Sequence, residues 1–233
     1  MMIKSASMLS NVVSLRGTKQ SPRVLFALSF LALAALACSV ADLNVSMAEP
    51  GSVLFSDDFS DRSGGWTRVS NAGGTVGYDN GVFRILVNDP GYNYWATPGL
   101  DLADARIEVD AGRFAGPVSN RIGLVCRYQD DKNYYFFVIS SDGFYAVGKV
   151  SGGETVHLGQ DEMQSSQAIK TDNPVNHLRA DCIGDSLTFY VNGFPVALAH
   201  DDQFARGDVG LLAGAFDETG VDVIFDDFVV MKP

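Results

Sequence analysis

Two acidic residues are the first candidates for catalysis in this chain. Glu108 and Asp110 stand two positions apart in RIEVDAGRF, so in a strand both side chains project from the same face. A retaining glycosidase needs two carboxyl groups close together, one as nucleophile and one as acid. In the strand pattern E-x-D-x-x-E a third acidic position follows the first two. Here the third position is Arg113. Because a solvated sheet face also shows alternating acids, we predict no catalytic residue at this place.

Other catalytic signatures are absent from the sequence. His157, His177 and His200 lack the spacing of metal ligands. No G-x-S-x-G, P-loop or dinucleotide-binding pattern occurs. We therefore predict that the protein is not an enzyme, and a glycoside-active enzyme is the alternative.

Aromatic rings are the second group that could do chemistry, because sugars bind to flat exposed rings beside polar groups. Tyr92, Tyr94 and Trp95 lie in NDPGYNYWATPG, bounded by Gly and Pro residues. We predict a loop that presents these rings to a ligand. The alternative is a loop that folds them over one edge of the core.

A second aromatic segment is CRYQDDKNYYFFVISSDGFY, residues 126–145. It reads as two strands joined by a polar turn, with Tyr134 and Tyr135 beginning rows on opposite faces. If Cys126 faces inward, Arg127 lies on the other side of its sheet. We predict a ligand site from Arg127 and an aromatic row near Tyr135, although most of these rings are expected to be core.

The elements that would position these residues are short β-strands. Asn80-Gly81 and Asn192-Gly193 each separate two apolar, β-rich arms, which is a strong hairpin signal. Further strand-like runs follow at regular intervals, and no long amphipathic helix is apparent. Residues 53–233 are therefore predicted to form a single antiparallel β-sandwich or closed barrel.

The amino terminus is predicted to be an export signal. Basic residues up to Arg23 precede VLFALSFLALAALAC, an apolar run that is short for a membrane span. The residues Ala35-Leu36-Ala37-Cys38 resemble the bacterial lipobox, which implies a signal peptide over 1–37, lipidation of Cys38, and a tether over 38–52. The alternative is an ordinary signal peptide cleaved near Ala37, which gives a secreted protein.

Charge and cysteine content restrict the partners. The first 37 residues contain four of the 17 basic residues and none of the 28 acidic ones, so the remainder carries a net charge of about −15. This charge repels phosphate backbones, and we predict no nucleic-acid partner. Cys126 and Cys182 each share strand parity with apolar neighbours, so a disulfide between two inward faces is predicted. Two buried free thiols are the alternative.

Several of these segments together resemble a known superfamily. FSDDFSDRSGGW, YDNGVFRI, LTFYVNG, GDVGLLAGAF and VDVIFDDFVV are similar to the concanavalin A-like, laminin-G-like jelly rolls of bacterial surface proteins. The resemblance covers nearly the whole chain after the tether and implies an all-β jelly-roll sandwich. It implies no single function, because the superfamily contains lectins, carbohydrate-binding modules, glycosidases and adhesion modules.

The resemblance also suggests a metal and a ligand. In jelly-roll carbohydrate-binding modules, acids from the first and last strands often bind a structural calcium ion; here these acids would be Asp58, Asp61, Asp226 and Asp227. Solvated strand-end acids are the alternative. The function expected is non-catalytic recognition of carbohydrate at the cell surface, and an adhesion module for other envelope components is a further alternative.

Overall fold

The computed structural model describes residues 48–171 and 174–233. Ala48–Pro233 is one compact unit. In the described residues every strand pairing is antiparallel, and the strands form a nine-stranded and a seven-stranded sheet. The predicted all-β sandwich is thus confirmed. In the same residues, no helix has the length and apolar character needed to cross a membrane.

The strand bounds follow the order of the chain. The nine-stranded sheet consists of β1 (Val53–Asp57), β2 (Val69–Asn71), β3 (Gly74–Asp79), β4 (Val82–Val87), β6 (Ala105–Ala115), β12 (Asn176–Ile183), β13 (Ser186–Val191), β14 (Phe194–His200) and β16 (Val221–Met231). The seven-stranded sheet consists of β5 (Asn93–Ala96), β7 (Asn120–Asp130), β8 (Asn133–Ile139), β9 (Phe144–Ser151), β10 (Glu154–His157), β11 (Gln164–Ser165) and β15 (Asp208–Ala215).

The spatial order of the nine-stranded sheet is β14-β13-β12-β6-β16-β4-β3-β2. The remaining strand, β1, pairs with β16. Both predicted hairpins are present: Asn80-Gly81 joins β3 to β4, and Asn192-Gly193 joins β13 to β14. All four turn residues have positive φ, between 50° and 87°. Asn and Gly tolerate this conformation, which explains why these dipeptides form the two-residue turns.

The main core lies between the two sheets. Alternate residues of β4 and β13, such as Phe83, Ile85, Leu187 and Phe189, are fully buried in it. Trp66 closes one end, where its indole nitrogen donates to Asp57 Oδ2 at 2.9 Å. Removing these large side chains from water is the main favourable contribution to folding.

A disulfide joins the two sheets through this core. Cys126 of β7 and Cys182 of β12 are bonded, as predicted, and both are buried. Since β7 belongs to the seven-stranded sheet and β12 to the nine-stranded one, the bond is a covalent link across the sandwich.

Candidate functional site on the seven-stranded sheet

The outer face of the seven-stranded sheet carries a second, smaller apolar cluster. Val125, Tyr134, Phe136, Val138 and Leu212 belong to it, and they point away from the main core. A row of cross-strand partners crosses this face in the order Trp95, Leu212, Gly123, Val138 and Ala146. A mainly apolar outward face with a few polar groups is typical of a ligand-binding surface.

A bulge in β7 brings one more ring to this face. Between the pairs Asp208–Tyr128 and Gly210–Val125, β7 contains one residue more than β15. An extra residue reverses the alternation of side chains beyond it, so Tyr128 points outward although Cys126 points inward.

Three rings meet there and form what we call the aromatic cluster: Trp95, Tyr128 and Tyr134. Their centroids are 5.7–6.1 Å apart, and the Trp95 indole nitrogen donates to the Tyr128 hydroxyl at 3.0 Å. Burial raises the pKa of Tyr134 to about 12, so this hydroxyl is neutral at physiological pH. Trp95 and Tyr128 keep part of their surface exposed, as a stacking surface requires.

Arg127 does not lie on this face, and its predicted ligand contact is wrong. Its side chain is 3% exposed because the bulge turns it inward, with φ at 48°. The guanidinium donates to the carbonyl oxygens of Ala103, Phe204 and Gly184 at 2.7–3.0 Å. Strict alternation predicted the wrong side because it assumed an unbulged strand.

The row at Tyr135 also lies inside the protein, so the predicted contact of Tyr135 with a ligand is wrong as well. Tyr135 is fully buried, and it is the cross-strand partner of the inward-facing Cys126. Its hydroxyl donates to Asp201 Oδ1 at 2.5 Å and accepts from Phe204 N at 3.1 Å. A sequence signal for this existed: opposite residues of a hairpin share a face, and the turn at Asp131-Lys132 places Cys126 opposite an odd-numbered residue.

The segment with Tyr92, Tyr94 and Trp95 forms the edge strand β5 instead of a loop. Alternation therefore separates its rings. Tyr94 packs against the main core, Trp95 joins the aromatic cluster, and Tyr92 precedes the strand with 65% of its surface exposed. Of the five predicted ligand residues, Trp95 alone lies in the aromatic cluster.

Next to the aromatic cluster is a hollow of about 330 Å³, which we call the Arg121 hollow. This volume is at the lower end of the range for small-ligand sites, about 300–1,000 Å³. Phe136, Val138 and Leu212 provide apolar walls, while Arg121 and His157 provide polar groups.

Small residues occupy several outward positions of the sheet near the hollow, and one of them, Ala146, lines it. Gly123, Gly148 and Gly214 alternate with core residues and point to the outer face, as does Ala146. A Cβ atom at Gly148 would collide with the Phe136 ring and the Val156 carbonyl. Glycine is thus required at this position for the close approach of ring and strand.

Arg121 was missed by the sequence reasoning, although its alternation with Ile122 placed it on the outer face. Its guanidinium lies 3.9 Å from the centroid of Phe216, and Nη1 donates to Asn93 Oδ1 at 2.9 Å and to the Ala215 carbonyl at 3.0 Å. Burial lowers the pKa of Arg121 below its ordinary value. Asn93 also acts to lower the pKa of Tyr134, so it lies between the hollow and the aromatic cluster.

Glu108 and Asp110 lie on the outer face of the other sheet, where they contact His177 and Arg179. His177 approaches Asp110 Oδ1 at 2.8 Å and Glu108 Oε2 at 3.4 Å, and Arg179 lies 4.0 Å from Glu108 Oε1. Arg113 is the third residue of the pattern, on the same strand β6.

The four predicted calcium ligands lie near the joined chain ends, where β1 pairs with β16. Asp58, Asp61 and Asp227 border one open hollow, while Asp226 is on the outer face of the sheet. A bulge between Asp226 and Val229 gives Asp227 a φ of 51°, so neither aspartate is directed into the core. Within residues 48–171 and 174–233, no three or more His, Cys, Asp or Glu side chains are arranged to hold a metal ion.

Crowding of negative charge is the main property of this end of the sandwich. Burial raises the pKa of Asp226, and the charges of Asp227, Asp58 and Asp110 raise it further. Hydrogen bonds from Ser60 lower the pKa of Asp58, which keeps that neighbouring charge in place. Ionised Asp226 therefore destabilises the folded state.

Replacing Asp226 by Asn is expected to stabilise the protein at pH 7, because it removes a charge that its neighbours repel. The gain is small, about 0.5 kcal/mol or 1–2 °C in Tm, because Asp226 is partly exposed. The pKa of Asp226 is higher in the folded protein than in the unfolded chain, where it is 3.8. Its destabilising effect is therefore complete above the folded pKa and disappears as pH falls toward 3.8. Calorimetric melts between pH 7 and 4 should show the gain shrinking. Asp202→Asn, an exposed change of the same charge, is the control and should show no such trend.

A structural calcium ion at this end stays a prediction. If calcium binds here, EDTA lowers the Tm of the wild-type protein by several degrees, and the Asp226→Asn variant responds less. An unchanged Tm of the wild-type protein in EDTA would show that no structural calcium ion binds here.

Comparison with known proteins finds solved structures that share this fold. A carbohydrate-binding module, CBM66 from Bacillus subtilis, matches with 21% identity and a TM-score of 0.51, over 72% of this chain and 96% of that one. A Bacillus subtilis protein of unknown function with a galectin-like fold matches with 13% identity and a TM-score of 0.57, over 80% and 98%. A family 16 endo-glucanase from Bacteroides ovatus matches with 13% identity and a TM-score of 0.57, over 77% and 100%. No family model and no curated protein matches the chain. At these identities the likeness establishes the fold, a concanavalin A-like, galectin-like β-sandwich.

Proposed function

We propose that the protein is a carbohydrate-binding module whose site is the aromatic cluster together with the adjoining Arg121 hollow. The observation that carries the proposal is the outward placement of Trp95 and Tyr128 beside a hollow with polar groups at its rim. The fold is that of proteins which include a carbohydrate-binding module and glycosidases.

Chemistry supports a sugar as the ligand. A pyranose ring has an apolar face that packs on a partly exposed indole or phenol, and hydroxyl groups that need hydrogen-bond partners. The rings of the aromatic cluster supply the first kind of contact, and Arg121, Asn93 and His157 supply the second. The net negative charge of the chain disfavours a nucleic-acid ligand.

We also propose that this recognition is non-catalytic. Two observations support it: Arg113 stands where the strand pattern of a retaining glycosidase has an acid, and Glu108 is engaged by His177 and Arg179. A glycosidase of the same fold is the competing function, since a family 16 endo-glucanase shares this architecture. Release of reducing sugar from a polysaccharide panel, lost on Glu108→Gln, would establish the competing function.

Truncation of the aromatic cluster is the direct test of binding. Trp95→Ala is expected to weaken carbohydrate affinity about 10-fold, because a central aromatic contact contributes about 1–2 kcal/mol. Glycan arrays identify the ligand, and calorimetry measures the affinity. Phe194→Ala is the matched control, because Phe194 is 64% exposed on β14 of the other sheet and its loss should leave affinity unchanged.

Two outcomes would contradict the proposal. If no glycan on the array and no polysaccharide binds, the protein does not recognise carbohydrate, and an adhesion role toward envelope proteins becomes the better description. If Phe194→Ala abolishes binding and Trp95→Ala does not, the site lies on the nine-stranded sheet.

The cellular location in this proposal is the cell envelope, through a lipid on Cys38. Cys38 and the signal segment lie outside the described residues, so this part rests on the sequence resemblance alone. Mass spectrometry of the mature amino terminus is the check, with acylated Cys38 as the expected species.

A further inference from the structure

Among the described residues, Arg121 is a partly buried arginine without an acidic partner. Arg84, Arg106, Arg127 and Arg179 each pair with aspartate or glutamate. Within the part of the chain that the structure describes, no carboxylate oxygen lies within 4.0 Å of the Arg121 guanidinium. A partly buried cation without a counter-ion is costly in a protein that has an excess of carboxylates.

The guanidinium of Arg121 also has donors to spare. Nη1 is committed to Asn93 and to the Ala215 carbonyl. Among the described residues, no group accepts a hydrogen bond from Nε or Nη2. Every buried side-chain nitrogen in this part of the chain has a partner, so Nε and Nη2 are not buried and can reach solvent. Two adjacent donors in a planar fork match the two oxygens of a carboxylate.

The position of Arg121 is fixed before any ligand arrives. The Phe216 ring lies 3.9 Å from the guanidinium carbon and the two Nη1 hydrogen bonds hold its plane. The Asn93 side chain, which accepts from Nη1, fills the space over Gly214, the cross-strand partner of Arg121. The group therefore borders the hollow as a preorganised anion-binding donor.

We infer, resting on the proposed carbohydrate function, that the sugar held in the Arg121 hollow bears a carboxylate, as uronic and sialic acids do, and that Arg121 binds this group. The carboxylate pairs with Nε and Nη2, while the sugar ring packs against Phe136 and Leu212 in the same hollow.

The rest of the site favours a ligand with one acidic residue over a densely charged polymer. At the other end of the aromatic cluster, the charges of Asp131, Asp130 and Asp208 act on Tyr128. The charged groups near the two ends of this face therefore differ in sign, with Arg121 at one end and these aspartates at the other. A neutral sugar is expected to stack on the aromatic cluster beside the acidic sugar.

Methyl esters provide the test, because esterification removes the charge and changes the shape little. Oligosaccharides that end in one glucuronate, galacturonate or sialate are titrated against the protein by calorimetry, together with their methyl esters and the parent neutral glycans. The acid form is expected to bind about 10-fold more tightly than its ester, in line with a charge-assisted hydrogen bond. Raising NaCl from 0.05 to 0.5 M should weaken binding of the acid form alone.

Variants then assign the effect to Arg121. Arg121→Gln should reduce affinity for the acid to that for the ester, and Arg121→Lys should keep a reduced preference for the acid. Arg68→Gln, an exposed change of the same charge just before β2 of the other sheet, should leave both affinities unchanged. Thermal melts verify folding, and the wild-type acid-to-ester ratio decides the matter if Arg121→Gln does not fold.

The outcomes separate this inference from the proposed function. If neutral glycans bind as tightly as acidic ones, or if folded Arg121→Gln keeps the preference for the acid, the inference is overturned and carbohydrate binding stands. If no glycan of the panel binds, acidic or neutral, both fail.

Discussion

Replacing both Cys126 and Cys182 by alanine is expected to lower the free energy of unfolding by about 4 kcal/mol and Tm by about 10 °C. The bond connects residues 56 positions apart, and it joins β7 to β12 across the core. Without the bond, the unfolded chain has more conformational entropy, and the two sheets lose their covalent link. Urea unfolding of the oxidised wild type and the double variant measures the difference.

Reductant provides the control for this experiment. Dithiothreitol should destabilise the wild-type protein toward the double variant and leave the variant unchanged, since no other disulfide occurs among the described residues. A loss below about 1 kcal/mol would show that sheet packing, and not the covalent link, determines stability here.

Arg127→Ala is expected to destabilise the protein by about 3–5 kcal/mol, because the guanidinium is a buried charge that holds three connections together. Its acceptors are Ala103 before β6, Gly184 between β12 and β13, and Phe204 before β15. Removing the side chain leaves these carbonyl oxygens without their donor. Equilibrium urea melts give the magnitude.

Glycine at the same position separates hydrogen bonding from backbone strain. Arg127 has a φ of 48°, where a Cβ atom costs about 1–2 kcal/mol, so Arg127→Gly should be less destabilised than Arg127→Ala by about that amount. Both variants, measured well below their Tm, should keep wild-type carbohydrate affinity. A folded Arg127 variant that loses binding would return this residue to the ligand site.

The fold was largely predictable from the sequence because it depends on local patterns. Asn80-Gly81 and Asn192-Gly193 define hairpins through backbone conformations that few other residues adopt. Alternation located Cys126 and Cys182 on inward faces, and the disulfide confirms that placement. Such features are properties of a few neighbouring residues and need no knowledge of the tertiary structure.

The candidate site was predicted less well because it depends on register. One extra residue in β7 turns Arg127 into the core and Tyr128 onto the outer face, and no sequence pattern marks that bulge. Trp95 was predicted to lie in a loop; it is a residue of β5 and lies opposite Leu212. In the same way, the bulge after Asp226 leaves neither Asp226 nor Asp227 pointing into the core.

By itself the sequence determined an all-β chain with its hairpin turns and its disulfide, because these follow from local conformation and side-chain alternation. The tertiary structure alone decided which rings face outward and that Arg121 is partly buried with no counter-ion among the described residues. Outward placement depends on cross-strand register, and the charge environment of Arg121 depends on β5, β7 and β15 meeting in one sheet. Neither property belongs to any single segment of the chain.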